Sequence, residues 1–269
     1  MEILEYAKAL LLAEKIQIVS ALPLEKCNIK RPHLLRNSDF TEDRGTVIIF
    51  AVPYYVDDKK EKNLSLYAVS RDYHLFFASL FERLLPRLSE EFPNNRFLGF
   101  SDHSPIDEVS AAAMAGLGVV GENRLLITEE YSSFVFLGEI ICDAELDLSV
   151  GEIKRCERCG LCKGSCPVGL DVSRCISALT QKKGSLGEDE RKIIRENGSS
   201  WGCDICQTAC PHSKGIMDTQ VDFFKEERVP FLTRERVYNM SEEAFLRRAY
   251  SWRKKETILR NLEIFEREG

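Results

Sequence analysis

The chain has 269 residues, of which 44% are hydrophobic and 30% are charged, and its formal net charge is −6. These values are ordinary for a globular protein of one large or two smaller domains. An acidic chain binds phosphate backbones poorly as a whole, so any contact with nucleic acid needs a local basic patch. No apolar stretch reaches the ~20 residues of a membrane-spanning helix and no leader pattern is seen, so we expect a cytoplasmic protein with no membrane contact.

The first part of the chain predicts alternating helices and strands. An amphipathic helix is expected over residues 2–16, and Thr46–Tyr55 is expected to form a buried strand because β-branched and aromatic residues dominate it. Apolar residues recur at helical spacing from Ser65 to Leu88, and a short strand is expected over Arg96–Phe100.

The next segment combines a helix with two strands. Ser104 and Pro105 predict a helix start, and an alanine-rich helix then runs to about Ala115, where glycines break it. Leu125–Thr128 and Phe134–Ile141 predict strands joined by a turn.

The last third predicts a cysteine module followed by a helix. Short helices are expected over Val172–Thr180 and Glu188–Glu196, and a longer helix capped by Ser241 is expected to run to about Phe265. This order predicts an α/β or α+β domain that carries a ferredoxin-like insert. We place the domain boundaries at 1–150, 151–216 and 217–269.

Seven of the ten cysteines lie in two runs with the spacing of iron–sulfur proteins. The first run, Cys156–Pro167, has the pattern C-x2-C-x2-C-x3-C-P, and the second, Cys203–Pro211, has C-x2-C-x3-C-P. The first pattern is the bacterial ferredoxin signature, in which thiolates hold cubane clusters. Two [4Fe–4S] clusters need eight thiolates, and Cys175 between the runs supplies the eighth.

The spacing also predicts which thiolate binds which cluster. In two-cluster ferredoxins, the cysteine before proline ligates the other cluster. One cluster is therefore expected on Cys156, Cys159, Cys162 and Cys210, and the other on Cys166, Cys175, Cys203 and Cys206.

Two other uses of the cysteines are weaker. Disulfides are disfavoured because the cysteines are clustered and no secretory signal is seen. Paired C-x2-C knuckles also bind zinc, but three cysteines at this spacing with a trailing C-P fit a cube better than a tetrahedral ion. Cys142 ends an apolar run and is expected to be a buried core residue.

Further motifs flank the two runs. They are Arg71-Asp72-Tyr73-His74, Asp102-x-x-Pro105-x-x-Glu108, Ala115-Gly116-Leu117-Gly118-x-x-Gly121-x-Asn123, Phe136-Leu137-Gly138-Glu139-Ile140, Arg174-Cys175-Ile176-Ser177 and Gly202-Cys203-Asp204. Together with the cysteines, this set resembles the epoxyqueuosine reductases, which are cobalamin-dependent iron–sulfur enzymes related to the reductive dehalogenases. The resemblance extends from about Val47 to Asn261.

The resemblance implies an α+β fold, namely an α/β-type cobalamin-binding core with a two-cluster ferredoxin-like module. It implies that electrons pass from a small flavodoxin- or ferredoxin-like donor through the clusters to cobalamin, and that an epoxide is reduced to an alkene with loss of water. Asp102 stands at the family's proton-donor position. A carboxylic acid can protonate the departing oxygen if its surroundings keep it protonated at working pH.

The resemblance also implies contacts to the corrin at Asp102, Leu126, Leu137 and Ser177. The general cobalamin pattern D-x-H-x-x-G is absent, because Asp72-x-His74 lacks the glycine. Without the resemblance, Leu126 and Leu137 are simply core strand residues, and Asp102 is a polar turn residue.

Two departures from the family bear on the substrate. We expect a short form that lacks the helical-repeat domain of the tRNA-modifying members, and Glu122 replaces the lysine that often follows the glycine run. Both predict an altered substrate or a weaker hold on tRNA. Six basic residues near the end either form a solvated face or contact phosphate or an acidic partner, namely Arg247, Arg248, Arg253, Lys254, Lys255 and Arg260.

Three functions therefore stay open at this point. The first is a reductase of the epoxyqueuosine type. The second is a dicluster electron-transfer protein without its own substrate. The third, weaker, is a zinc-bound structural or RNA-binding module.

Overall fold

The computed structural model describes residues 2–266 as short helices and strands. The helices are α1 Ile3–Ala13, α2 Pro32–Arg36, α3 Tyr73–Glu91, α4 Glu108–Met114, α5 Leu161–Ser165, α6 Ile176–Gln181, α7 Glu188–Asn197, α8 Ile205–Thr208, α9 Arg234–Asn239, α10 Glu242–Leu246 and α11 Lys254–Glu266. The strands are β1 Ile18–Pro23, β2 Thr46–Pro53, β3 Phe97–Phe100, β4 Val119–Val120, β5 Leu126–Ile127 and β6 Val135–Cys142. Of the helices within the described range, none combines the length and the apolar character that crossing a bilayer requires.

The chain divides into two compact units. Unit 1 comprises Met1–Tyr54 and Phe76–Arg158, and unit 2 comprises Tyr55–Leu75 and Cys159–Gly269. This division is drawn differently from the three predicted segments, because residues 217–266 share a unit with most of the cysteine module. Residues 1 and 267–269 of the predicted segments lie outside the described residues.

Unit 1 is built on an antiparallel sheet with the strand order β1-β2-β6-β3. Strands β2 and β6 pair along their full length, from Thr46 opposite Cys142 to Pro53 opposite Val135. The two short strands β4 and β5 form a separate antiparallel ribbon. Because every described strand pair is antiparallel, the unit is of the mixed α+β type rather than a parallel βαβ sheet.

Strand β2 is buried on both faces, as its run of apolar residues predicts. Val47, Ile49 and Ala51 pack in one core with the α4 alanines 111–113. On the other face, the Phe50 ring lies 6.2 Å from Phe77 of α3, measured between ring centroids. Helices therefore cover both faces of the sheet at β2.

Unit 2 consists of short helices around a core that includes Trp201 and Tyr250, both fully buried. Their rings meet edge-on with centroids 6.2 Å apart. Helix α11 packs against α6, α7 and α9. The segment that carries the later cysteines is thus supported by the last helix of the chain.

Two predicted helices start later than expected because a nearby side chain accepts a backbone N–H at the observed start. The helix predicted from Ser65 begins at Tyr73, where the Asp72 carboxylate accepts the His74 N–H at 3.0 Å. The helix predicted from Ser104 begins at Glu108, because Asp107 caps it by accepting the Ser110 N–H at 3.2 Å.

The predicted C-terminal helix is two helices rather than one. Ser241 caps α10 as predicted, accepting the Ala244 N–H at 3.1 Å. Helix α10 ends at Leu246, and α11 begins at Lys254, whose φ of +67° does not fit a continuous right-handed helix. Helix α9 was not predicted.

Candidate active site

The predicted acid Asp102 lies on a tight turn in unit 1, two residues after β3 ends. Its φ is +65°, a left-handed conformation that asparagine and aspartate tolerate better than most residues. The Asp102 backbone N–H donates to Glu108 Oε1 at 3.0 Å. The preceding Ser101 hydroxyl donates to the Leu137 carbonyl of β6 at 2.9 Å. The turn is therefore attached to both the sheet and the start of α4.

A second set of hydrogen bonds fixes the far side of the turn. The buried Ser104 hydroxyl accepts the Ile106 N–H at 3.1 Å, and the Ser104 carbonyl accepts from Arg31 Nη1 at 2.8 Å. The Pro105 carbonyl accepts the N–H groups of Lys30 and Arg31 at 2.7 and 3.0 Å. Residues 30–31 thus hold the loop by its backbone and place two cations beside it.

Two glutamates stand next to the Asp102 turn. Glu139 is fully buried in β6, opposite Phe100 of β3, and Glu108 begins α4. The pKa of Glu108 is raised to about 7, chiefly by burial and also by the Asp102 charge, while its hydrogen bonds to the Asp102 backbone and to Glu139 and the charge of Arg31 act in the opposite direction. Burial and the charge of Glu108 raise the pKa of Glu139 well above its ordinary value. Both residues stand in the family motifs, but the sequence assigned neither a role.

The turn borders an open cavity of about 460 Å³ in unit 1. Its lining combines two cations, three carboxyl groups and two apolar side chains: Lys30, Arg31, Asp102, Ile106, Asp107, Glu108 and Val109. An acid placed there can reach a small polar group that enters from solvent.

The predicted corrin contacts in unit 1 offer main chain rather than polar side chains. The Leu126 side chain is buried in the core, and Leu137 packs against that core from β6. Among the described residues, β5 pairs only with β4, and its two residues, Leu126 and Ile127, are both buried. Gly118 is required beside it, because a Cβ there would lie 2.2 Å from the Ile127 carbonyl oxygen.

The fourth predicted corrin contact, Ser177, lies in α6 of unit 2. Its hydroxyl accepts from Gln181 Nε2 at 3.2 Å and retains its own proton to donate. A hydroxyl with a free donor is suited to an amide or carbonyl oxygen of a ligand.

Helices of unit 2 bring some of its cysteines near one another, and no two cysteines among residues 2–266 form a disulfide. Helix α5, which carries Cys162, packs against α8, which carries Cys206. Burial, the Asp204 carboxylate and the nearby thiols of Cys206 and Cys175 together raise the pKa of Cys203 to about 12. Cys175, the residue between the runs, is therefore a neighbour of the second run.

Three cysteines, Cys27, Cys142 and Cys156, lie in unit 1. Cys156 belongs to unit 1, where its N–H donates to the Val120 carbonyl at 3.1 Å. Cys142 is fully buried and burial raises its pKa to about 11, which confirms its prediction as a core residue. Cys27 is also buried, and its pKa is raised to about 12 for the same reason.

Within residues 2–266, no group of three or more His, Cys, Asp or Glu side chains is gathered closely enough to hold a metal ion. The four thiolates of a cubane each bind a different iron, so their sulfurs stand farther apart than sulfurs that each lie ~2.3 Å from one zinc. The cluster ligands therefore stay predictions that depend on the spacing of the cysteines and on the neighbours of Cys203.

Asp204, beside Cys203, anchors the second run and was not predicted to do so. Its buried carboxylate accepts the Leu66 N–H at 2.7 Å and the Ser65 hydroxyl. Burial raises the pKa of this group, while the two hydrogen bonds lower it. Only the motif Gly202-Cys203-Asp204 hinted at this residue, because its partners lie far away in sequence.

The basic residues near the end of the chain are partly committed to structure. Arg248 is buried and donates to the carbonyls of Ser70 and Glu227 at 3.3 and 2.6 Å. Arg260 donates to the Lys182 carbonyl at 2.6 Å, and Lys255 donates to the Met240 carbonyl at 3.3 Å. Fewer free cations remain for phosphate than the six basic residues suggest.

Part of the chain matches the model of a known protein family. Residues 36–103 match the family described as "Epoxyqueuosine reductase QueG, DUF1730". Two solved structures also share the fold of this chain over nearly its whole length. An epoxyqueuosine reductase with a tRNA-Tyr epoxyqueuosine-modified stem loop gives a TM-score of 0.77 at 21% identity, with 98% of this chain and 81% of that one covered. The Bacillus subtilis enzyme, with its catalytic loop swung out of the active site, gives a TM-score of 0.77 at 23% identity, with 98% and 82% covered.

Sequence relatives support the same assignment. The epoxyqueuosine reductase of Lactococcus garvieae is 30% identical over 247 residues, which cover 82% of this chain and 68% of the relative. That of Pseudomonas aeruginosa is 33% identical over 195 residues, which cover 69% of this chain and 54% of the relative. The chain thus spans between half and about two thirds of the length of these relatives. By this similarity, the chain belongs to the epoxyqueuosine reductase family.

Proposed function

We propose that this chain is an oxidoreductase of the epoxyqueuosine reductase type. The reaction takes an epoxide, two electrons and two protons and gives an alkene and water. Both carbon–oxygen bonds of the epoxide break, a carbon–carbon double bond forms, and the oxygen leaves as water. The substrate is epoxyqueuosine in tRNA or a smaller relative of it.

The observation that carries this proposal is the placement of Asp102. The residue borders an open cavity, and its turn is held by Glu108 and by the segment at residues 30–31. The departing epoxide oxygen needs a proton, and a carboxylic acid at the mouth of a cavity can donate it. The Bacillus subtilis relative carries a catalytic loop that can swing out. This supports a loop as the place for the acid.

The cysteines are suited to hold the clusters that this chemistry needs. Clusters on the eight cysteines named above would pass electrons one at a time. In unit 2, Cys175 lies near Cys203 and Cys206, as a shared cluster requires. Iron replaces the proton of each thiol on binding, so the raised pKa of Cys203 makes assembly easier at higher pH.

Cobalamin fits the groups that the chain offers for it. The groups that would bind the polar side chains of the corrin are the main chain at Leu126 and Leu137, the Asp102 carboxyl and the Ser177 hydroxyl. When bound, cobalamin would supply the reducing equivalents at the epoxide. The chain's own part is to orient the substrate and to hold the proton at Asp102.

The partners follow from the same chemistry. A relative binds a tRNA stem loop, and we propose tRNA for this chain as well, held weakly because the net charge of the chain is −6. A small flavodoxin- or ferredoxin-like protein would supply the electrons. Clusters and free thiols persist in the reducing cytoplasm, where we place the protein.

The test is anaerobic reconstitution with iron, sulfide and cobalamin, followed by assay with an epoxyqueuosine stem loop and a chemical reductant. We expect bound corrinoid, visible absorption from the clusters, and a product that is lighter by one oxygen atom. A protein that holds two clusters but binds no corrinoid and leaves the stem loop unchanged is instead an electron carrier. A protein that holds zinc without sulfide contradicts both functions.

A further inference from the structure

The Asp102 turn is supported by two glutamates that no step of the proposed reaction uses. Glu108 accepts the Asp102 N–H at 3.0 Å. Behind it, Glu139 is 0% exposed, and neither of its carboxyl oxygens accepts a well-formed hydrogen bond from a described residue. A buried carboxyl group without such partners is costly when it is charged.

Several segments of the chain contribute charged or titratable groups that face Glu108 or Glu139. Glu108 faces Asp102 and Arg31, while Glu139 faces Glu108 and the Ser104 hydroxyl. The Cys27 thiol also senses the Glu139 charge. Arg31 is the one cation in this set, and it acts on Glu108.

Two carboxyl groups in contact, one of them fully buried, do not both ionise readily, so one of them keeps a proton. Glu139 is the more deeply buried and has no cation in its set, so it keeps the proton. Glu108 keeps the charge, because it accepts a backbone N–H, faces Arg31 and starts α4, where the helix dipole favours an anion.

We propose that Glu108 and Glu139 form a singly protonated pair that positions Asp102. Glu139 keeps the proton and uses it to donate a hydrogen bond to Glu108. Glu108 in turn fixes the turn by accepting a hydrogen bond from the Asp102 N–H. Glu139 is enclosed in the core and Glu108 acts on the backbone of Asp102, so both members are assigned as positioning residues. The inference rests on the proposed function, because it gives the Asp102 turn its purpose.

This arrangement makes the turn dependent on pH. When the pair loses its proton, two charges face each other next to Asp102, and the backbone hydrogen bond to Glu108 loosens. Glu139→Gln keeps a neutral donor of the same shape at every pH, so it removes this dependence. Glu108→Ala removes the acceptor at every pH.

The first experiment needs neither substrate nor corrinoid. Amide hydrogen exchange of Asp102 is measured in the full chain at pH 7.5 and at a higher pH, such as 9.5, and is corrected for the intrinsic rate. In the wild type we expect protection at pH 7.5 and less at the higher pH, and in Glu139→Gln equal protection at both. Glu108→Ala is expected to exchange about tenfold faster at both, as loss of a single hydrogen bond allows.

The matched control removes a similar bond at the other end of β3. Asp143 accepts the Arg96 N–H at 3.0 Å, just as Glu108 accepts that of Asp102. Asp143→Ala should leave Asp102 exchange and its pH dependence as in the wild type. If Glu108→Ala leaves Asp102 protected, or if Glu139→Gln keeps the wild-type pH dependence, the pair is overturned.

The second experiment separates this inference from the proposed function. In the reconstituted enzyme, Glu108→Ala should lower kcat about tenfold with little change in KM, Glu108→Gln should restore most of the loss, and Glu139→Gln should flatten the alkaline limb of the pH–rate profile. An active enzyme whose profile is the same in Glu139→Gln refutes the positioning role and leaves the function standing. An inactive wild type with the expected exchange pattern refutes the function and leaves the pair standing.

Discussion

Asp102 combines a left-handed backbone with a carboxyl group at the edge of a cavity. For most residues this backbone costs ~1–2 kcal/mol, and asparagine is among the side chains that accept it best. Asparagine also has nearly the same shape as aspartate but cannot donate a carboxylic proton. A variant can therefore remove the proton without removing the turn.

We predict that Asp102→Asn leaves both clusters, corrinoid binding and the thermal midpoint unchanged, and slows turnover by about 10²–10⁴-fold, the usual contribution of a general acid. Asp102→Ala should show the same loss of turnover with a lower midpoint, because alanine tolerates the left-handed backbone poorly. The measurements are single-turnover rates, iron content and thermal unfolding. Wild-type turnover in Asp102→Asn would remove this residue from the mechanism.

The two glutamates predict a stability that depends on pH. The pKa of a glutamate in an unfolded chain is about 4.3, whereas that of Glu108 is raised to about 7 and that of Glu139 is raised well above its ordinary value. For an acid whose folded pKa is raised, the stabilising contribution is complete below the unfolded pKa and is lost as pH rises through the folded pKa. The folded protein should therefore be less stable at pH 8 than at pH 5.

Glu139→Gln should reduce this loss, because a neutral amide carries no charge into the core. We expect the variant to be more stable than the wild type at pH 8, because the wild-type protein must there either bury a charge or take up a proton on folding. The two should be similar at pH 5, where Glu139 is already neutral. Urea unfolding under anaerobic conditions at both pH values measures this difference. A variant that is less stable than the wild type at pH 8 contradicts a neutral Glu139.

At the scale of elements, local patterns predicted what depends on local sequence. The apolar run at Thr46–Pro53 gave a buried strand, and Glu188–Asn197 gave the expected helix. Helix starts were less predictable where several nearby polar residues can each accept a backbone N–H, as Ser104 accepts that of Ile106 and Asp107 that of Ser110. The strand pairing was not predictable from local sequence. The two strands expected to be joined by a turn are β5 and β6, but β5 pairs with β4.

The candidate site shows the same division. Cysteine spacing carries the cluster prediction, since the ligands lie close together in sequence. The glutamate pair could not be found that way, because Glu108 and Glu139 meet only through the β3–β6 register, in which Phe100 lies opposite Glu139. Asp204 and Ser65 are likewise joined by the fold alone.

Cys175 tests the cluster prediction at the level of its element. It precedes α6, which places its thiol beside the second cysteine run. We predict that Cys175→Ala lowers the iron content of reconstituted protein from about eight to about four per chain, because one of two four-iron clusters loses a ligand. Iron and sulfide analysis with electron paramagnetic resonance checks this.

The control for that variant makes the same change at a buried thiol of unit 1. Cys27→Ala should keep about eight irons per chain, because Cys27 is not a predicted ligand of either four-iron cluster. Two intact clusters in Cys175→Ala would show that another group completes the second cluster.

At the scale of the whole molecule, the net charge limits the affinity for RNA that we expect of this chain. The net charge is −6, and several cations near the end of the chain bind backbone carbonyls. A protein that neutralises few phosphates binds RNA weakly, and its affinity changes little with salt. We therefore expect weak binding of a tRNA stem loop with a shallow salt dependence.

Glu122 offers a direct test of that expectation. It is exposed after the glycine run, where the family often has lysine. If this part of unit 1 faces the RNA, Glu122→Lys should tighten binding of an epoxyqueuosine stem loop by about three- to tenfold at low salt and steepen the salt slope by roughly one. Glu90→Lys makes the same change in net charge at the exposed end of α3 and should alter the affinity far less. Equal gains from both variants would show that only net charge matters. No gain from either would place the RNA, if it binds, away from the glycine run.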